Sequence, residues 1–343
     1  MKEESKNKLS RFHDKHYKHL LLIPILLLVI SAIFMFNFYS NNGDFIYKDV
    51  SLSGGTSITI HSPIDSKTLE QDLADQLEEI SVRETYNIIT GEQVDTIVET
   101  KTGGQETTAV LEEYLGYDLN EENSDFLFNK PTLSESFYNQ LILAILYAFS
   151  FMGIVVFFLF SKKTKMKILV LAITLISPLF FLAFKIISIS TAMIIALVTL
   201  LLSIIIYIKH NIPSFAVIIS AFADILMTLV LANMLGMKMS TAGIVAFLML
   251  IGYSVDTDIL LTTRILKRSR GTLNHRIFGA FKTGITMTLT SLLAVVFALV
   301  VVKSFSVVLG QIFTILAIGL GFDILNTWIT NASILKWYME KRQ

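Results

Sequence analysis

Apolar residues in this chain fall into runs of about 20, separated by short charged segments and by one long polar interval. A run of that length is what an α-helix needs to cross a hydrocarbon core of about 30 Å. The pattern predicts a first transmembrane helix over 20–38, a second over 139–160, a transmembrane hairpin over 168–208, and a core helical bundle over 213–335. In that bundle the runs are 214–235, 241–261, 283–302 and 305–329, giving about eight spans with both termini on one side. The fold class expected is a polytopic α-helical membrane protein.

The polar interval, 39–138, has shorter periods. Residues 57–60 alternate like a strand, and Leu69, Leu73, Leu77 and Ile80 follow at helical spacing behind Asp65 and Ser66, a cap pair. Strands are expected at 86–89 and 94–98 across the turn at 90–92, and a second helix at 106–115. The order predicts a small α+β, ferredoxin-like external domain.

Composition sharpens the picture. The 343 residues are 53% hydrophobic and 16% charged, with no cysteine, which removes disulfides and thiolate chemistry. Net charge is zero, yet residues 41–140 hold 20 Asp and Glu against 5 Lys and Arg. If the basic tail 1–19 is cytoplasmic, 20 of the 28 Lys and Arg lie inside, together with the tail 336–343. The polar domain is then outside. His13, His16 and His19 fit either a metal site or a juxtamembrane segment on anionic membrane lipid; no acid or thiol completes a metal shell, so the second reading is preferred. The first run lacks a small-residue cleavage site and reads as a retained anchor.

Four acids interrupt the apolar runs: Asp224, Asp256, Asp258 and Asp323. An ionisable group at the centre of an inserted helix costs roughly 2.5–3.5 kcal/mol, so each needs a role. Asp224 lies about eleven residues into its span, near the midplane. Asp256 and Asp258 are about 200° apart around one helix and have separate roles. Asp256 follows Gly252 by one turn, and close helix approach at that glycine places it at the bundle centre with Asp224. For Asp258, function and pairing with a loop cation stay open. Lys282 opens the next span, and Thr283, Thr286 and Thr290 recur on one side with Thr288 and Ser291 beside them, the outline of a wet path. Asp323 has no assigned motif and falls near the cytoplasmic end of the last run. Gly310, Gly319 and Gly321 read as sites of close helix packing. Segment 267–282 is basic but reads as an interfacial loop-helix, and no nucleic-acid, phosphate-loop, zinc or nucleophile motif is present.

Gly252-Tyr253-Ser254-Val255-Asp256-Thr257-Asp258, continuing to Arg264, resembles the fourth-span motif of the SecF family of protein-export membrane proteins in its archaeal form. Bacterial members read Gly-Tyr-Ser, a variable residue, Asn-Asp-Thr and a later Arg, so the carboxylate is placed differently here. Asp49 to Thr56, with Gly54-Gly55, resembles the segment that opens the external domain of SecD and SecF; alone, the glycines would read as a tight turn. Asp224 matches a third-span Asp, with Ala223 where bacterial members have His. Lys282-Thr283-Gly284-Ile285-Thr286 resembles an Arg-Thr-x-x-Thr segment of the proton pathway, with Lys for Arg. Six spans are usual in the family, so 168–208 is an insertion, expected to face lipid or a partner.

The resemblance implies membership of the resistance-nodulation-division superfamily and a non-enzymatic subunit without cofactor in the cytoplasmic membrane. It implies pairing with SecD beside the SecYE translocon and action on a secreted polypeptide, driven by the proton gradient. Its proton-relay candidates are Asp256, Asp224, Asp258, Lys282, Thr286 and Arg264, with protonation of Asp256 as the switch. Two other readings stay open: a proton-coupled exporter of lipid or small molecule, and a non-transporting structural subunit of the translocon.

Overall fold

The structure, a computed structural model, describes residues 15–87, 90–129, 131–184, 188–267, 271–302 and 306–342. His13, Lys185, Arg268 and Arg270 lie outside the described residues, as does most of the basic tail. Helix α1 (Leu22–Asn42) continues a helical segment that begins near Lys15. A two-residue strand β1 (Tyr47–Lys48) and a single-turn helix α2 (Val50–Ser53) then lead into the polar domain.

That domain runs β2 (Gly55–Ile60), α3 (Ser66–Leu73), β3 (Ser81–Tyr86), β4 (Gln93–Thr100), α4 (Gly104–Leu115) and β5 (Ser124–Asn129). The strands form one sheet in the order β3-β4-β2-β5, with every neighbouring pair antiparallel. Ile58, Ile60 and Val98 from the sheet and Leu69, Leu73 and Leu111 from the helices are inaccessible or nearly so, which makes this a self-contained core. The expected strand at 86–89 is displaced: β3 begins at Ser81 and its alternation ends at Tyr86, while residues 88 and 89 lie outside the described set. Its edge is satisfied locally, since the Val82 N–H donates to the Glu70 carboxylate at 3.1 Å. Strand β5 had no signature in the sequence. The Tyr86 hydroxyl donates to Glu84 and, as the largest effect, holds that carboxyl below the usual range.

The bundle contains α5 (Pro131–Phe160), α6 (Thr164–Phe184), α7 (Ile189–His210), α8 (Ile212–Met234), strand β6 (Lys238–Met239), α9 (Thr241–Lys267), α10 (Leu273–Val302) and α11 (Val307–Leu325). After α11 the chain continues through a π-helical segment (Asn326–Asn331) into α12 (Ala332–Glu340). Among the described residues seven helical stretches are long and apolar enough to cross a membrane, the last running from Val307 to Glu340. Helix α6, 21 residues with Pro178 inside, is a further apolar helix packed on α7. Within 168–208, Ala192, Ala196, Thr199, Ser203 and Tyr207 of α7 form a buried stripe, and α7 packs against α5. Tyr207 fits over Gly153, where an added Cβ would meet the phenol oxygen at 3.1 Å.

Polar and apolar parts are stitched at one place. Strand β1 pairs in parallel with β6, the Asp49 N–H donates to Met239 at 3.0 Å, and the Thr241 N–H donates to the Ser51 hydroxyl at 3.0 Å. Asp49 caps α2, accepting from the Ser51 N–H at 2.9 Å; burial pushes its carboxyl above the usual range. Gly54 and Gly55 then turn the chain into the sheet. Gly55 has φ +130°, and a Cβ there would lie 2.3 Å from the Thr100 carbonyl oxygen, a backbone atom that cannot move aside.

Gly55→Ala is therefore expected to destabilise the polar domain by about 1–3 kcal/mol through a clash and a strained backbone together. Thermal unfolding followed by limited proteolysis measures it. Gly103→Ala, at a site with nothing within 4 Å, should leave the curve unchanged.

Candidate functional site: a buried carboxyl cluster

Three helices bring three carboxyls together: Asp224 from α8, Asp258 from α9 and Asp323 from α11, each fully buried. Asp224 accepts from the Ser254 hydroxyl at 2.5 Å and from the Asn326 amide at 2.7 Å. Asp258 accepts from the Asn331 amide at 2.7 Å and contacts the Thr327 hydroxyl at 2.9 Å. Asp323 meets Thr327 at 3.0 Å, Thr257 at 3.0 Å and, at 3.4 Å, Thr288 of α10. Among the described residues the ion pairs all lie in the polar domain or the segment leading to it, so no Lys or Arg compensates these acids. Compensation comes from hydroxyls and amides alone.

Proton counting makes the Thr327 contacts informative. A hydroxyl carries one hydrogen and two lone pairs. Thr327 lies within hydrogen-bonding distance of Oδ1 on both Asp258 and Asp323, so it donates to one while the other contact requires a carboxyl that donates. Thr257 repeats the arrangement between the Ser254 carbonyl at 2.9 Å and Asp323. The line Asp258–Thr327–Asp323–Thr257 can thus pass a proton from oxygen to oxygen without a cation taking part. The Ser220 hydroxyl faces Asp258, and the buried hydroxyl of Thr262 on the same helix makes no hydrogen bond within the usual geometry, so the cluster has spare capacity.

The π segment explains how one strand of chain supplies so many partners. Asn326, Thr327 and Asn331 lie within about 140° of one another even at regular spacing, and the wider π turn brings them closer together toward α8 and α9. It also carries the last helix on to Glu340, beyond the end expected near residue 329, so Asp323 sits at its middle and not near its end.

Several expected positions are corrected. Asp256 is exposed on the outer face of α9, and Asp258, two residues on, occupies the bundle centre with Asp224. The 200° separation holds with its direction reversed: Asp258 lies on the buried face with the hydroxyls of Ser254, Thr257 and Thr262, and Asp256 on the exposed face with Gly252 and Tyr253. Gly252 marks the outer face: nothing lies within 4 Å of a Cβ built there. Close approach by glycine occurs instead at Gly319, where a Cβ would meet Leu250 at 2.3 Å, and at Gly284, where it would meet Trp328 at 2.3 Å. Lys282 and Thr286 are exposed and stand apart from the buried carboxyls, and Thr283, Thr286 and Thr290 donate to carbonyls one turn earlier in α10. Thr288 faces inward. Arg264 donates to the Gly279 carbonyl, and Arg276 donates to the Ile265 carbonyl at 2.7 Å, which closes the α9–α10 hairpin. Asp323, Asn326, Thr327 and Asn331 were missed as partners; Asp323 alone carried a signal, being an acid in an apolar run.

Removing the bridging hydroxyl while keeping its shape tests the cluster as a unit. Thr327→Val is expected to cost about 1–3 kcal/mol, and in a double-mutant cycle with Asp258→Asn to couple by about 0.5–3 kcal/mol. Thermal unfolding in detergent micelles reads both, and Thr327→Ser should recover most of the loss.

Comparison with known proteins agrees with this architecture. Residues 174–341 match the family model described as protein export membrane protein SecD/SecF, C-terminal. The protein-export membrane protein SecF of Methanocaldococcus jannaschii is 33% identical over 95% of this chain and 96% of its own length. That of Methanothermobacter thermautotrophicus is 32% identical over 96% of this chain and 94% of its own. The crystal structure of SecDF from Thermus thermophilus, described as a translocon-associated membrane protein, superposes over 95% of this chain with a TM-score of 0.59 at 15% identity. The chain spans 38% of that longer protein, a likeness of fold. With relatives of this identity matched nearly end to end, the chain belongs to the SecF family of protein-export membrane proteins, in its archaeal form.

Proposed function

We propose that this chain is the SecF half of a SecD–SecF accessory complex that uses the proton gradient to promote passage and release of secreted polypeptides at the SecYE translocon. The observation that carries the reading is the buried line of carboxyl and hydroxyl oxygens from Asp258 to Thr257, near the middle of the spans, with no cation within ion-pair distance among the described residues. A proton gained or lost there changes the net charge of a site that holds α9 against α11. Each charge crossing the membrane potential is worth about 2.3 kcal/mol per 100 mV, enough to bias two packings of those helices. The acidic α+β domain, placed outside by the distribution of basic residues, then shifts against the emerging chain.

Pairing with SecD is supported by the outer face of the α9–α10 hairpin. Gly252, Tyr253 and Asp256 are exposed on α9, and Leu293 and Phe297 on α10 are 70% and 73% exposed. An exposed carboxyl at mid-span is costly in lipid and calls for a covering helix with a hydrogen-bond donor, while Gly252 permits close approach. That incomplete face also disfavours a self-sufficient exporter.

Export of a secreted reporter in cells carrying variants of the chain, at matched expression and with SecD co-purification checked, is the test. Asp258→Asn and Asp323→Asn are expected to assemble with SecD and to reduce gradient-dependent export to the level of a strain lacking the protein. Asp256→Asn and Gly252→Leu are expected to lose SecD while the isolated chain stays folded. Normal export by assembled Asp258→Asn and Asp323→Asn would sink the proton-driven reading and leave scaffolding.

A further inference from the structure

The stitch between bundle and α+β domain contains a side chain from the helix that carries Asp323. Gln311 lies twelve residues before Asp323 on α11, about 18 Å along the axis. Its Nε2 donates to the Lys238 carbonyl at 2.5 Å, and its Oε1 accepts from the Ser240 N–H at 3.0 Å and the Ser240 hydroxyl at 2.5 Å. The amide thus grips both sides of β6, and the glycine opposite leaves it room: a Cβ at Gly243 would meet Oε1 at 2.6 Å. Strand β6 in turn holds β1, Asp49 and Ser51, the segment from which the domain rises.

The domain is fastened on one side and free on the other. Helix α2 packs on α5, whereas β3 stands off from the bundle across a cavity of about 700 Å³ lined by Arg83, Glu84 and Tyr86 on one wall and by Met237, Gln311 and Thr314 on the other. A tether beside a gap is a hinge with room to swing. Helix α11 is a continuous rod between hinge and carboxyl cluster.

We propose that Gln311 is the positioning residue that carries a displacement of α11, set by the charge of the cluster, to β6 and through β1 to the α+β domain. The inference rests on the proton-driven reading above. Charge at Asp323 is repelled by Asp258 and Asp224, the titratable groups facing it from α9 and α8, whereas α10 presents Thr288. Helix α11 then shifts relative to α9. Because both hydrogen-bonding ends of Gln311 are engaged on β6, the strand follows, and the gap opposite opens or closes.

The chain has no cysteine, so paired spin labels can be placed without background. Labels at Glu113→Cys on α4 and Val300→Cys on α10, in nanodiscs holding the chain with a cysteine-free SecD partner, report the distance between domain and bundle by double electron–electron resonance at pH 5 and pH 8. The expected result is a distance distribution that changes with pH in the otherwise native chain, is fixed in Asp323→Asn, and is fixed in Gln311→Ala although its carboxyl band in the infrared still titrates. Gln311→Ala that folds and still shifts like the native chain overturns the proposal while leaving the proton-driven reading standing. A native chain that does not shift at all overturns both. Should Gln311→Ala fail to fold, Ser240→Ala, which removes one of the three contacts, is expected to reduce the shift; an unchanged shift there counts against the proposal.

Discussion

Three fully buried carboxyls, with no cation within ion-pair distance among the described residues, are the constraint on which this structure turns. Charge in such a place costs several kcal/mol unless hydrogen bonds compensate it. The fold meets that demand with neutral donors: Ser254, Thr257, Thr288, Asn326, Thr327 and Asn331 all point at the three acids. Four helical elements must stay in register for those donors to arrive, so the acids specify the bundle's packing as much as the packing specifies the acids.

The π segment is the local device that makes this register attainable. A regular helix already sets Thr327 and Asn331 one turn apart on one face with Asn326 about 100° round from Thr327; the wider π turn narrows that spread toward α8 and α9. Close packing completes the job, with Leu250 seated against Gly319 and Trp328 against Gly284. Around the acids the bundle is therefore dense on its inner side.

Its outer side is different. The α9–α10 hairpin leaves a largely apolar exposed face that includes Gly252 and Asp256, and the α+β domain is joined to the bundle through the β1–β6 pairing and the packing of α2 on α5. A dense centre and an exposed face beside it are the features on which the proposed pairing with a second chain rests. Relatives of the same length bear the name of an export protein, and a longer chain with the same fold contains this architecture within it.

The helical, membrane-spanning class, the acidic α+β domain, the family motif and the presence of acids inside the spans were legible in the residues, because runs of 20 apolar positions and acids within them are one-dimensional signals. Gly55 was legible as a turn. The direction of α9 was only faintly legible: Ser254, Asp258 and Thr262 recur one turn apart as a polar stripe, whereas Asp256 shares its face with Gly252 and Tyr253, but which stripe is buried is decided by Asp224, Thr327 and Asn331 arriving from other helices. Likewise Thr286 and Thr288 differ only in which face α11 covers. Strand β5 and the stitch of β1 to β6 depend on partners about 70 and 190 residues away in sequence, and the π segment breaks the very period by which a helix is read. Sequence determined which groups had to be reconciled with a bilayer; tertiary packing decided which of them meet, since burial is a property of faces and a face exists only once its neighbour is in place.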